Sequence, residues 1–302
     1  MKRGFTEQDV PDQEGKTVVI TGANTGLGYE AARALSARGA RVLMACRSQQ
    51  KAEDAIASIE RHNGPVDVAY VPLDLGDLAS VQSCAEQLQS EDKIDVLINN
   101  AGLMVPPYQL TQDGFESQFG VNHLGPFALT GLLLDKLAET PSSRVVNTSS
   151  IAHNLGRIYF SDINAERRYI ASVRYSMSKL ANLLFTYELQ RRLEAAELPV
   201  LSVACHPGIA DTELSRYMPG LLERLTRVLQ PVLNTAAAGA WPTLCAATSA
   251  SVEGGDYFGP AYRLETAGPA VKVKSNRASR DRQVAKKLWD LSIEMTGIDC
   301  GI

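Results

Sequence analysis

Thr21-Gly22-Ala23-Asn24-Thr25-Gly26-Leu27-Gly28 decides how this chain is read, because it follows directly on the apolar run 17–21 and opens into a helical pattern. Glycine at 22, 26 and 28 lets the backbone turn sharply and approach a ligand with no Cβ in the way. The start of the following helix offers unpaired N–H groups and the positive end of a dipole, which suits a phosphate. The spacing is GxxxGxG and not the commoner GxGxxG. A glycine-rich turn can also be purely structural; its place directly behind the first strand is what favours a nucleotide.

Outward from this turn one rhythm repeats. Short apolar or β-branched runs at 17–21, 41–45, 68–73, 95–98, 144–148 and 200–204 alternate with helical patterns at 26–38, 49–62, 78–90, 114–137 (with Asp113 as N-cap) and 173–196. Near-continuous apolar strands between helices imply a parallel sheet covered on both faces. The expected fold is α/β: a single-domain, Rossmann-like, doubly wound parallel sheet with its core over about 16–260. A last helix near 278–296 carries Leu288, Trp289, Leu291 and Ile293. Two stretches, 153–172 and 209–230, fall outside the rhythm. Both follow carboxyl ends of strands, the side on which such sheets hold ligands, so a small substrate lid is expected there. Its apolar residues (Ile158, Tyr159, Phe160, Tyr217, Met218, Leu221, Leu222) either line a pocket or pack the lid onto the core.

The 302 residues are 45% hydrophobic and 21% charged, the balance of a folded soluble protein. A formal net charge of −4 gives no general attraction to nucleic acid or anionic membrane, so small molecules are the expected partners. The most apolar stretch, 124–137, is shorter than the roughly 20 residues of a membrane span and reads as a buried helix. Five scattered cysteines form no CxxC pair, which fits a reducing compartment, the cytoplasm, and no metal site.

The second strand runs into Ala45-Cys46-Arg47-Ser48, where NAD-selective proteins place an acid on the ribose 2′-OH. No acid stands there. The Arg47 guanidinium suits a 2′-phosphate instead, with Ser48 and Thr25 as neutral donors, so NADP(H) is expected ahead of NAD(H). Behind the third strand, Asp74-Leu75 either meets an adenine or simply turns and caps the chain.

Three further segments lie just beyond strand ends: Asn99-Asn100-Ala101-Gly102, Ser149-Ser150, and Tyr175-Ser176-Met177-Ser178-Lys179. Tyr175 and Lys179, at i and i+4, share a helix face. A phenol with pKa near 10 is a poor proton carrier at neutral pH, and an adjacent ammonium and an oxidised nicotinamide both favour its phenolate. Ser150 can then hold a substrate oxygen, and Asn122 a water that exchanges protons with Lys179.

By these motifs the chain resembles the short-chain dehydrogenase/reductase family: TGANTGLG, NNAG, Asn122 in VNHLG, Ser150 in NTSS, and YSMSK, over about 16–212. The resemblance implies Tyr175 as general acid/base, Lys179 as its partner and a ribose ligand, Ser150 as substrate-orienting hydroxyl and Asn122 as proton-relay residue. It also implies that Pro207, Gly208 and Thr212 contact the nicotinamide side and Asn100, Ala101 and Gly102 the adenosine ribose. ACRS, VNHLG, NTSSIAH, YSMSKLANLLF and HPG resemble the branch of retinol dehydrogenases and protochlorophyllide reductases. That branch carries a longer stretch between Ser150 and Tyr175, as this chain does. The implied reaction is hydride exchange between NADP(H) and the carbonyl or alcohol of a lipophilic molecule, in a family that often forms homodimers through the helices after the fourth and fifth strands. The competing reading is a non-catalytic NADP-binding sensor or scaffold, which has no need of all four catalytic positions. His123, His153 and His206 are expected to be neutral and satisfied by backbone, with His153 the one nearest substrate.

Overall fold

In the computed structural model, which describes residues 4–209 and 234–302, side-chain alternation along the strands builds two cores at once. The strands β1 (Thr17–Thr21), β2 (Arg41–Cys46), β3 (Val68–Pro72), β4 (Val96–Asn99), β5 (Ser143–Thr148) and β6 (Val200–Cys205) lie parallel in the order β3-β2-β1-β4-β5-β6. Val18, Ile20, Val42, Met44, Val96, Ile98, Val146 and Val203 face one side, and Val19, Leu43, Ala45, Leu97 and Val145 the other, the period of two that a pleated strand imposes. Helices α1 (Gly26–Ser36) and α2 (Gln49–Asn63) cover the first face. Helices α3 (Leu78–Leu88), α4 (Gly125–Ala138) and α5 (Ala171–Ala195) cover the second. The doubly wound sheet expected from the rhythm is therefore present, and α4 is the buried helix expected from its apolar run. No helix among the described residues is long and apolar enough to cross a membrane.

Three elements were not foreseen. Helix α6 (Ala236–Thr248) joins the first face, β7 (Tyr257–Tyr262) adds parallel to β6, and β8 (Ala267–Lys272) closes the sheet antiparallel to β7. Each contains glycine and proline, which disguise the pattern: Gly239 and Pro242, Gly259 and Pro260, Gly268 and Pro269. Proline in β8 is tolerated because the β7–β8 pairing is irregular there, with a register shift between Pro260 and Tyr262. Phe5 pairs with Ala270 there, so the core extends on both sides of the expected 16–260.

The expected fourth helix does not start at Gly114. Asp113 instead accepts a bond from Leu78 N at 3.0 Å, while Glu116 caps the short turn Ser117–Phe119. A π turn at Gly120–Leu124 then leads into α4. Such a wide turn inside a helix is commonly found at functional sites, and it carries Asn122.

The insertion between β5 and α5 packs on the core and does not line the cleft. Ile158 is buried with Phe119, Met177, Leu180 and Leu184, and Phe160 packs against the same cluster. The buried Arg174 fixes the stretch by donating to the Asp162 carboxylate at 2.6 Å and to the Asp162 and Arg168 carbonyls at 2.7 and 3.0 Å. The other lid residues, Tyr217, Met218, Leu221 and Leu222, and the cofactor candidate Thr212 lie outside the described residues.

The last helix, α7 (Arg282–Thr296), begins after a tight turn at Ala278–Arg280 and is capped by Asp281, which accepts from Gln283 N and Val284 N. Trp289 enters the core with its ring 5.1 Å from that of Phe127 in α4 and 5.8 Å from that of Phe185 in α5. Trp289→Ala is expected to cost about 3–5 kcal/mol, as large-to-small core changes do. Urea denaturation checks this, and a loss below about 1 kcal/mol would show that α7 is not part of the cooperative core.

Candidate active site

Register sets the site. Asn99 lies opposite Asn147 and Thr148 opposite Cys205, so the segments leaving β4, β5 and β6 emerge side by side at the sheet's carboxyl edge. The strand order turns back between β1 and β4, the crevice where open α/β sheets bind ligands. A cleft of about 350 Å³ lies there, lined by the phosphate-loop residues Gly22, Asn24, Thr25, Gly26 and Leu27 with Arg47, by Asn100, Ala101 and Gly102, and by Tyr175, Lys179 and Pro207.

The glycine loop is locked onto β4. Thr21 Oγ1 accepts from Asn100 N and Ala101 N, both at 3.0 Å, and Asn100 Nδ2 donates to Thr21 O at 3.0 Å. A Cβ on Gly28 would lie 2.5 Å from Asn100 Nδ2, and one on Gly22 would lie 2.9 Å from the Ala101 Cβ. Gly22 and Gly26 also have positive φ, 64° and 58°. Thr25 makes no side-chain capping bond, so the first N–H groups of α1 stay available to a ligand. This cradle fits a pyrophosphate.

Arg47 reaches out at the end of β2, its side chain 77% exposed and its Nη1 3.8 Å from Asp74 Oδ2. Ser48 caps α2 by accepting from Lys51 N, which leaves its hydroxyl proton free to donate. Asp74 closes a turn by accepting from Gly76 N at 2.9 Å, and Leu75 is buried with Phe127 and Ala128. Of the two readings of Asp74-Leu75, the turn is the one these bonds show, and the same carboxylate faces Arg47. Gly28, Ser48, Asp74, Leu75 and Gly208 are not among the residues that line the cleft.

In the catalytic part, Tyr175 is half-buried in the cleft, with the Ser150 side chain close enough to act on its phenol. Burial pushes its phenol up, and the Ser150 side chain works against that. The direction is opposite to the lowering expected from Lys179, whose Nζ lies 5.8 Å from the Tyr175 ring centre and donates to Thr148 O at 3.1 Å. Ser149, by contrast, is fully buried and donates to Lys179 O at 2.8 Å. Of the two adjacent serines, Ser150 is therefore the one whose hydroxyl meets Tyr175.

Asn122 uses both ends of its amide. Its Nδ2 donates to Leu103 O and to Ser178 Oγ, both at 2.9 Å, and its Oδ1 accepts from Leu103 N at 2.6 Å. The amide ties the π turn to the strand exit and to Ser178. Gly102 permits this closeness, since a Cβ there would sit 3.1 Å from Asn122 Oδ1 and 3.4 Å from Lys179 Nζ.

His153 is buried and turned away from the cleft. Its Nδ1 donates to Ser150 O at 2.7 Å and its Nε2 accepts from Asn276 N. Burial lowers its pKa, and that of His123 to about 3, so both are neutral, as expected. All five cysteines are buried and free. Leu103, Met104, Thr148 and Ser149 also line the cleft. The first two continue the Asn99–Gly102 motif directly, and extending that motif by two residues would have found them.

Burial lowers the Lys179 pKa from 10.5 to about 8. Between those values the unfolded chain binds a proton at this site that the folded chain does not, so folding gains stability as pH rises through about 8 to 10.5. Lys179→Met, which removes that buried charge, should flatten this rise by an amount on the order of 3 kcal/mol. Denaturation of both proteins at several pH values checks it; parallel curves would mean that Lys179 titrates as an ordinary lysine.

Comparison with known proteins agrees with this geometry. Residues 16–219 match the family model of the short chain dehydrogenases. Retinol dehydrogenase 12 of Mus musculus is 45% identical over 287 residues, spanning 94% of this chain and 87% of that protein. Retinol dehydrogenase 14 of Homo sapiens is 43% identical, with the same two shares. A crystal structure of an uncharacterized protein from Mycobacterium paratuberculosis is 43% identical and superposes with a TM-score of 0.83, covering 99% of this chain and 100% of that one. The chain belongs to the short-chain dehydrogenase/reductase family, as a retinol dehydrogenase-like oxidoreductase.

Proposed function

We propose that this protein exchanges hydride between NADP(H) and the carbonyl or alcohol of a lipophilic small molecule, with Tyr175 as general acid/base. The observation that carries this reading is that Tyr175, which lines one cleft with Lys179 and the glycine cradle, also meets Ser150. A bound nicotinamide would supply or accept the hydride. The residues of the chain do the rest.

Gly22, Asn24, Thr25, Gly26 and Leu27 would hold the pyrophosphate, and Asn100, Ala101 and Gly102 the adenosine ribose. Arg47 would take the 2′-phosphate, for which its exposure and the lack of an acid at 46–48 both speak. Because burial keeps the Tyr175 phenol protonated, it is suited to give a proton to a carbonyl oxygen. Ser150 orients that oxygen through the same hydroxyl pair, and Lys179, anchored on Thr148 O, stands ready for the nicotinamide ribose. Leu103, Met104 and Pro207 give the cleft an apolar wall, and the identity with retinol dehydrogenases supports a lipophilic substrate. Free, buried cysteines support a reducing compartment, the cytoplasm, as part of the same proposal.

NADPH consumption over a panel of aldehydes and ketones, retinal among them, tests the reaction. Tyr175→Phe should cut kcat by at least about 100-fold, the scale of general acid catalysis, while NADPH binding measured by fluorescence persists; retained turnover removes Tyr175 from the chemistry. Arg47→Asp should move the ratio of kcat/KM for NADPH over NADH toward NADH by about tenfold or more, the value of one charge-assisted contact. An unchanged ratio would take Arg47 out of cofactor choice.

A further inference from the structure

His206 is fully buried at the root of the strap Pro207-Gly208-Ile209, of which Pro207 lines the cleft. Its Nδ1 accepts from Gly208 N at 3.3 Å, and its Nε2 lies 3.1 Å from Glu265 Oε2 in the β7–β8 turn. A ring nitrogen that accepts from an N–H must be unprotonated, so the other nitrogen carries the hydrogen and donates it to the carboxylate. Glu265 thereby selects the tautomer that lets His206 hold Gly208.

Independent features support this arrangement. Arg263, Leu264 and Glu265 all have positive φ (55°, 57° and 64°) with no glycine among them; such backbone persists where the surrounding structure imposes it and is concentrated at functional sites. A Cβ at Gly259 would overlap the His206 ring, and one at Gly208 would overlap Thr266 O. Ile209 N donates to Thr266 O at 3.0 Å, and Asn234 Nδ2 to Pro207 O at 3.3 Å. The β7–β8 turn, which touches neither Tyr175 nor the glycine loop in any hydrogen bond described, is thus wired to the strap twice, through His206 and directly from Thr266 O to Ile209 N.

We propose that His206 and Glu265 are a positioning pair that sets the Pro207–Gly208 strap for the nicotinamide half of the cofactor. The proposal rests on the NADP(H) reading. Glu265 is 41% exposed, so substituting it does not empty the core. Glu265→Gln keeps an acceptor toward Nε2–H. Glu265→Lys presents only donors, which favours the other tautomer and sets Nδ1–H against the Gly208 N–H.

Nitrogen-15 NMR of the imidazole tests the tautomer without cofactor. The wild type and Glu265→Gln should show Nε2–H, and Glu265→Lys should not; Nδ1–H in the wild type overturns the proposal. Dissociation constants for NADPH and for 2′,5′-ADP, which lacks the nicotinamide half, then test the consequence. Glu265→Lys should weaken NADPH about five- to tenfold, the worth of one hydrogen bond, with 2′,5′-ADP unchanged and Glu265→Gln near wild type. Equal weakening of both ligands, or of neither, overturns the positioning role. A wild-type chain that binds 2′,5′-ADP but no nicotinamide dinucleotide overturns the NADP(H) reading itself, whatever the tautomer.

Discussion

The junction between β1 and β4 is the constraint on which the rest of the molecule depends. At this point the strand order turns back, and two chain exits must diverge from adjacent strands while leaving a gap wide enough for a ligand. Thr21 holds them together with one hydroxyl that accepts two backbone N–H groups. Asn100 answers by donating to Thr21 O. The glycines exist for this closeness: side chains at 22 or 28 would push the two exits apart. Once the junction is fixed, parallel register places the ends of β5 and β6 beside it, and the cleft follows.

Behind the cleft the protein spends buried polar groups on placement. Thr148 O receives both Lys179 Nζ and Asn182 Nδ2. Asn99 Nδ2 donates to Asn147 Oδ1 and Thr130 Oγ1, and Asn147 passes the chain to Thr186. Buried polar groups are costly unless satisfied, and here they tie β4, β5, α4 and α5 into one register. Burial also sets the protonation preferences of the site: it raises the phenol of Tyr175 and lowers the ammonium of Lys179. Two groups whose ordinary values, 10.0 and 10.5, nearly coincide are thereby driven apart, with the phenol holding its proton the more tightly.

The outer side of α4 and α5 has its own covering. Trp289 of α7 sits against Phe127 and Phe185, with the Arg192 guanidinium 4.4 Å from its ring centre. The stretch before α5 packs beside it through Ile158 and Phe160. α7 and the insertion thus cover the outer side of these two helices. The same packing fixes the first turn of α5, and with it Tyr175.

Local chemistry made much of this legible in the sequence. Strands declared themselves by apolar runs, the loop by its glycines, and Tyr175 and Lys179 by a spacing that only a helix makes meaningful; none of these needs distant partners. Elements carrying glycine and proline, α6, β7 and β8, were hidden because their stability comes from neighbours and not from propensity. The start of the fourth helix was misjudged for a similar reason: Asp113 caps a different element, and the π turn depends on Asn122 bonding Leu103. Tertiary structure alone decided that Ser150 and not Ser149 meets Tyr175, that the Asn122 amide is occupied, and that the Ile158 side chain turns inward. It alone brought Glu265 to His206. Sequence determines what each residue can donate, accept or bury, whereas only the folded chain determines which partner arrives first and leaves the others free for chemistry.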